Sequence, residues 1–413
     1  MVEKTLTINM ERLMDTIEQS ANIGRLPGGG ICRLTLTNED KQMRDLFTEW
    51  MNSSGLKVRV DDFGNIYGRM EGKKRDAEAV LIGSHLDTQP EGGRYDGILG
   101  VLTGLEVLRT IHENEIVLDR PVELVCFTNE EGSRFEPAML GSGGLAGAFD
   151  KEYIYHIKDR SGRTFIDELV RIGYLGSEEN RAKNIHSYIE LHIEQGPILE
   201  RENLDVGIVT GIQGMNWIEV KVTGETNHAG TTPMNMRKDA LRTAVRIIDK
   251  VQELTQNMDG GALITVGRMS LLPNSINCIP GEVVFSIDIR HPEDEIRKNI
   301  VKRIEQTIQQ IVNQDQTLVE YQTIMDISTT HFSEKLIKLI SEGANKLGYT
   351  SKKMMSGAGH DAKFMSHIAP TAMIFVPCAG GKSHCQEEYT TEESIEKGAR
   401  LLLYVVNQLA GNI

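Results

Sequence analysis

Between residues 79 and 127 the sequence spells strand, helix, strand. Ala79–Gly83 is a compact apolar run that ends in Gly-Ser-His, Ile98–His112 has helical spacing of apolar residues, and Val122–Phe127 is a second short apolar run. Two buried strands joined through a helix predict an α/β domain with a mixed, largely parallel sheet flanked by helices. In such sheets ligands collect beyond the carboxyl ends of the strands. His85 and Glu131 both fall just there.

Helical spacing also marks residues 8–22 and 39–55, and Leu56–Val60 and Ile66–Met70 read as short strands about the turn Asp61–Asn65. The character changes near Gly211. Trp217–Val222 and Leu263–Arg268 alternate as strands, Lys238–Gln256 is an amphipathic helix, Val283–Arg290 a strand, and Glu293–Gln314 a second helix. After Ser328 the first pattern resumes, with a helix near 333–347, a strand at Ala372–Val376 and a terminal helix from residue 392. The expectation is a catalytic domain formed by 1–210 and 330–413, interrupted by an inserted α+β domain over 211–329. A chain of 413 residues suits two domains better than one core.

A formal net charge of −14 argues against nucleic acid or an anionic membrane as partner, while leaving room for a local pocket that takes a small anionic substrate. No run of about 18 apolar residues suggests a membrane span. Met1–Thr5 leads into a polar amphipathic stretch without an apolar core of signal-peptide length. The five cysteines are scattered, odd in number and form no Cys-x-x-Cys pair, so neither a disulfide framework nor a zinc knot is expected. That usage fits the reducing cytoplasm.

Five local patterns carry the chemistry. In Gly83–Thr88, His85 stands two residues before Asp87, so one ring nitrogen can bind a metal while the carboxylate orients the other; a solvated loop histidine is the plain alternative. Asp96 precedes Gly97 and an apolar helix, where a helix cap would also fit. Glu130 and Glu131 end an apolar strand, where carboxylates are costly without partners. A metal beside one leaves the other to take a proton from the attacking water and hand it to the leaving nitrogen. His192 and Glu194 alternate with Leu191 and Ile193, and His384 follows the Gly380-Gly381 turn with Cys385 beside it. Together His85, Asp96, Glu131, His192 and His384 offer nitrogen and carboxylate donors without thiolates. Such a set suits two divalent ions, Zn²⁺, Mn²⁺ or Co²⁺, bridged by one carboxylate.

The runs Gly-Ser-His-Leu-Asp-Thr (83–88), Glu-Glu-Gly-Ser-Arg-Phe (130–135), Glu-Leu-His-Ile-Glu-Gln-Gly (190–196), Asn-His-Ala-Gly-Thr-Thr-Pro-Met (227–234) and Gly-Ala-Gly-His-Asp-Ala (357–362) resemble the hydantoinase/carbamoylase group of amidohydrolases, within the aminoacylase/carboxypeptidase superfamily. The likeness covers nearly the whole chain in order. It implies a homodimer in which the inserted domain serves as dimerisation domain and lid. It further implies that Asp96 bridges the two ions, that His85 and His192 complete one site and Glu131 and His384 the other. Glu130 becomes the general acid and base, and Asp87 the group behind His85. Substrate roles fall to His228, Asn277 and Arg290, with His228 reaching the partner subunit's site, and to Gln195, Gly359 and His360 in the pocket. These roles are chemically sound. Arg290 can form a two-pronged bond to a carboxylate, and His228 can donate to an oxyanion. Without the resemblance a surface ion pair and a turn residue would serve as well.

A histidine at 192, where the peptidase branch commonly carries a carboxylate, points to the ureido-cleaving branch. The expected substrate is an N-carbamoyl-L-amino acid, split to amino acid, ammonia and carbon dioxide. The alternative is allantoate. Met215, where allantoate-cleaving relatives tend to carry glutamine, favours the first, and Asp288–His291 resembles the second. An aminoacylase or peptidase, or a binding protein without metals, are the remaining readings.

Overall fold

The computed structural model describes residues 7–256, 261–315 and 317–411. The chain opens with helices Met10–Ala21 and Asn38–Ser53. Each starts at a side chain that accepts a free backbone N–H, Asn9 from Arg12 and Thr37 from Asp40. Strands β1 (Lys57–Val60), β2 (Ile66–Met70), β3 (Ala79–His85), β4 (Val122–Phe127), β5 (Ile185–Ile193) and β6 (Val206–Ile212) follow, with helix Ile98–Glu113 between β3 and β4. Next come β7 (Gly214–Thr223), β8 (Asn227–His228), β9 (Leu263–Thr265), β10 (Met269–Leu272), β11 (Cys278–Ile279), β12 (Glu282–His291) and β13 (Leu318–Ile327), with helices Ala240–Gln256 and Asp294–Asp315. β14 (Thr330–His331), β15 (Ser351–Ser356) and β16 (Thr371–Val376) close the chain with helices Glu334–Lys346 and Glu392–Ala410. Two compact units result, Met1–Gly211 with His331–Ile413, and Ile212–Thr330.

The first unit is built on a mixed sheet in the order β1-β2-β4-β3-β5-β16-β6, with β15 also paired to β6. Its centre is parallel: β3 runs with β4 and β5, and β16 with β5. The outer strands β1, β2 and β6 are antiparallel to their neighbours in this order. Every residue of β3, β4 and β16 is buried, which is why these strands read as mainly apolar runs instead of alternating ones. Helix Ile98–Glu113 approaches closely because of Gly100, where a Cβ would stand 2.4 Å from the Leu191 carbonyl oxygen.

The second unit is an antiparallel sheet, β10-β12-β7-β13, with β9 also on β12. Burial alternates along β12, and the buried face carrying Val220, Phe285 and Ile287 shares a core with Ala244, Ile247 and Ile300 of the two helices. The class, the mixed sheet with its parallel centre and the added α+β unit are those the sequence predicts. The single strand expected over Leu263–Arg268 is not found. β9 stops at Thr265, and the chain resumes at Met269. Thr265 pairs with Asp288 and Met269 with Phe285, so four steps (269 − 265) on one side face three (288 − 285) on the other. One residue is extra, as in a bulge, and Gly267 lies inside it.

Candidate metal centre

Three neighbouring parallel strands and the strand beside them deliver the acidic and imidazole side chains to one end of the sheet. His85 is the last residue of β3, His192 the last but one of β5, Glu130 and Glu131 follow β4, and His384 follows β16. Asp96 comes from the loop that enters helix Ile98–Glu113. β3 leads to β4 on one side while β5 lies on its other side, so connections diverge at this point and leave a crevice.

Asp96 is the centre of the arrangement. Its Oδ1 lies 3.2 Å from His192 Nε2 and 3.7 Å from His85 Nε2, and its Oδ2 lies 3.2 Å from His384 Nε2. Glu131 Oε2 is 3.6 Å from His384 Nε2, and Glu130 Oε2 is 3.5 Å from His85 Nε2. Three groups with metal-ligand spacing result among the described residues: His85–Asp96–His192 and Asp96–Glu131–His384, which share Asp96, and Glu190–His192–His360. The rings are held from behind. His85 Nδ1 is 3.0 Å from the Asp87 carbonyl oxygen and His192 Nδ1 is 3.0 Å from that of Ile193. A carbonyl only accepts, so both rings carry their proton on Nδ1 and turn the Nε2 lone pair inward.

Asp87 therefore supports His85 through its main chain, its carboxylate Oδ1 standing farther off at 3.8 Å. The carboxylate has another task. It accepts the Thr35 hydroxyl at 2.7 Å and the N–H groups of Glu130 and Glu131 at 3.3 Å each. It thus ties the His85 loop to the turn bearing both glutamates. Glu194 does not share a strand face with His192, because β5 ends at Ile193; its carboxylate caps the next short helix by accepting N–H from Ile198 and Leu199.

The charge balance calls for a cation. Asp87, Asp96, Glu130, Glu190, Asp361 and Glu388 are buried, and the Glu131 side chain is 6% exposed. Among the described residues no lysine or arginine pairs with any of them. Burial, then the charge of Asp361, Glu131 and Asp96, pushes Glu130 well above the ordinary carboxylate range, and burial with Asp96 pushes Glu131 up to about 8. Asp96 goes the other way: burial opposes it, but hydrogen bonds to His192 and His384 hold it well below. Beside that bare carboxylate, and against its own burial, His192 is pushed up to about 9. Yet the Gly97 N–H points at His192 Nε2 from 3.0 Å, which requires a neutral ring. The nitrogen and carboxylate donors about Asp96 fit a divalent cation, which would take the Nε2 lone pair that the Gly97 N–H meets here.

Gln195 belongs to the same centre: its Nε2 donates to Asp96 Oδ2 at 2.8 Å and approaches Ser383 Oγ at 3.2 Å. His360 lies buried behind His192, ring centroids 4.5 Å apart, with Nε2 2.9 Å from Ser356 Oγ. Gly359 packs on Met139, whose Cε would be 3.1 Å from an added Cβ. In the second unit, β8 and β11 pair Cys278 with His228, and the Asn277 carbonyl accepts the Ala229 N–H at 2.9 Å, so His228 and Asn277 are neighbours. His228 Nδ1 accepts N–H from Gly230 at 3.0 Å, which leaves Nε2–H as the outward donor. Arg290 Nη2 is 2.9 Å from Asp288 Oδ2, and Arg290 stands directly across from Met215.

Several supporting residues escaped the sequence reading. Gln89 Nε2 donates to Glu131 Oε2 at 2.7 Å, while Gln89 Oε1 accepts the Ser133 hydroxyl at 2.7 Å. Ser84 Oγ donates to Glu190 at 2.7 Å. Ser383 and Glu388 flank His384. Ser84, Gln89 and Glu190 lie within or next to the quoted runs and Ser383 stands beside His384, so proximity to a ligand was the only available signal for them.

A mixed sheet gathering two carboxylate–imidazole groups about one shared aspartate defines a hydrolase of the metal-dependent amidohydrolase class. Residues 81–408 match the family described as Peptidase family M20/M25/M40, and the chain belongs to that family, among its hydantoinase/carbamoylase amidases. An N-carbamoyl-L-amino-acid amidohydrolase of Rhizobium meliloti is 43% identical over 403 residues, 98% of this chain and 97% of that one. An allantoate amidohydrolase of Bacillus subtilis is 36% identical over 400 residues, 96% and 97% of the two chains. The crystal structure of an amidase of the hydantoinase/carbamoylase family from Burkholderia multivorans matches with a TM-score of 0.95 at 42% identity, covering 98% of this chain and 99% of that one. The resemblance read from the motifs is borne out.

Proposed function

We propose that the protein hydrolyses the ureido C–N bond of N-carbamoyl-L-amino acids, consuming one water and releasing the amino acid, ammonia and carbon dioxide. The observation that carries the reaction is the shared Asp96, whose two oxygens face two different imidazole sets. His85, Asp96 and His192 would hold one divalent ion and Asp96, Glu131 and His384 the other; Zn²⁺, Mn²⁺ or Co²⁺ there polarises the ureido carbonyl and acidifies water.

The chain's own groups do the rest. Glu130, 3.5 Å from His85 and outside both ligand groups, takes the proton of the attacking water and returns it to the leaving nitrogen. Asp87 keeps Glu130 in place through its N–H. His228, a donor at Nε2, steadies the oxyanion, with Asn277 beside it. Arg290 holds the substrate carboxylate by exchanging its Asp288 contact for a two-pronged one. Met215, its cross-strand partner, offers an apolar neighbour to an amino-acid side chain. Gln195 and the Gly359–His360 turn complete the pocket, His360 acting from behind His192.

Two further assignments rest on the same footing. β13 is the edge of its sheet and exposes Leu318, Tyr321 and Ile324, which suits a homodimer formed through this unit. All five cysteines are free, which suits the reducing cytoplasm.

Ammonia release decides the substrate. N-carbamoyl-L-amino acids, allantoate and N-carbamoyl-β-alanine are each offered to protein loaded with Zn²⁺, Mn²⁺ or Co²⁺. Fastest turnover of an N-carbamoyl-L-amino acid is expected; preference for allantoate, which the Bacillus subtilis relative makes the second reading, would replace it.

A further inference from the structure

Asp96 must show one oxygen to each of two imidazole sets, and its own turn does not fix it: Gly97 follows at φ 67° and no side chain caps the helix start. His384 is still less anchored, with a left-handed φ of 56° and a side chain 49% exposed. Both are tied by Glu388. Its Oε1 accepts the backbone N–H of Tyr95 at 2.9 Å and of Asp96 at 3.0 Å. Its Oε2 lies 2.9 Å from Ser383 Oγ, which is itself 2.9 Å from Asp96 Oδ2. One side chain, 3% exposed, thus grips the main chain of Asp96 and stands against Ser383, whose single hydroxyl proton the Glu388 and Asp96 carboxylates share at the start of the loop carrying His384.

The packing about it is close. A Cβ on Gly93 would fall 2.0 Å from Glu388 Oε1, and one on Gly30 would lie 3.1 Å from Gln386 Cα. Glycines at 30 and 93 let two further loops press on the 383–388 segment, so Glu388 sits at the junction of the segments that surround the centre.

We propose that Glu388 is a positioning residue for the cation at Asp96, Glu131 and His384, acting through Ser383 and the Tyr95–Asp96 main chain and touching neither metal nor substrate. This rests on the metal reading given above. The other ion keeps two buried imidazoles held from behind, so removal of Glu388 weakens chiefly the group containing both gripped ligands.

The test uses full-length protein stripped by a chelator and titrated with Co²⁺, followed by calorimetry and visible absorption. E388L is expected to keep one tight equivalent and to bind the second about 10- to 100-fold more weakly, with changed d–d bands. E388Q, whose Oε1 still takes both N–H groups while Nε2 donates to Ser383, recovers most of that affinity. S383A shows the same loss in smaller degree. Two tight equivalents with unaltered bands in E388L overturn the proposal, as does an E388Q no better than E388L. Should E388L not fold, S383A decides, and second-site binding unchanged from the native chain overturns the proposal. Failure of the unsubstituted protein to take up Co²⁺ overturns the metal reading, and this inference with it.

Discussion

Gly97 shows how little room the centre allows a single residue. It sits at φ 67°, and an added Cβ would stand 2.2 Å from His85 Nε2, the nitrogen aimed at Asp96. G97A is therefore expected to push the imidazole aside and to lose the ion at His85, Asp96 and His192, seen as a drop in bound metal per chain by elemental analysis. Retention of both ions would show that His85 is no ligand. Glu130 makes the opposite kind of prediction. Outside both ligand groups, it can be changed without removing a donor, so E130Q is expected to keep its metal and lose about 10²- to 10⁴-fold in kcat for ammonia release. Near-normal turnover with full metal would sink its role as proton carrier. The ligand candidates were legible because each lies in a short polar motif beside an apolar run or a glycine turn. Glu388 was not, because its partners Tyr95 and Asp96 lie 293 and 292 residues away. Nor could a sequence tell that Asp87 would meet the His85 ring with its carbonyl and reserve its carboxylate for the glutamate turn.

At the scale of elements, legibility followed burial. Ile66–Met70 and Val122–Phe127 stand at the bounds expected for them, since buried strands are mainly apolar, and their charged residues Arg69 and Glu123 pair with each other at 2.7 Å. β13 left almost no signal, because it is an edge strand whose residues are mostly exposed. Helix Asp294–Asp315 contributes something periodicity cannot show. Its Arg297 is fully buried and bonds the Met215 carbonyl and Asn216, along with Asp294 and Asp326. It fastens the helix to β7 and β13. Breaking a fully buried pair costs about 3–5 kcal/mol. The Asp294 and Asp326 side chains are 28% and 55% exposed and regain water, so R297L is expected to cost nearer about 2 kcal/mol. In urea unfolding followed by hydrogen exchange, the loss should fall on amides of Ile212–Thr330. An equal loss in β3 and β5 would mean that the two units do not unfold separately.

For the molecule as a whole, the decisive quantity is how many protons the centre holds when no cation is there. Burial and Asp96 push Glu131 up to about 8 and Glu388 up to about 7. The hydrogen bond to Asp96 pushes His384 up to about 9. In the unfolded chain such groups lose their protons near about 4.3 and about 6.5. Every one of these shifts is upward, so the metal-free folded form binds protons that the unfolded form has released. Its stability is full below those unfolded values and is lost as pH rises through the folded ones, toward about 9. A divalent cation replaces the protons and removes the penalty, and it competes with fewer of them as pH rises. At a free concentration 100 times its Kd, a cation adds about 2.7 kcal/mol, or roughly 5 °C in Tm for a unit of this size. The gain from added Zn²⁺ or Co²⁺ over chelated protein should therefore grow steadily from pH 6 to pH 8.5, confined to the unit carrying β3, β5 and β16. Calorimetric scans at constant free metal measure it directly, and a gain that shrinks with pH would mean that the ion does not take the place of these protons.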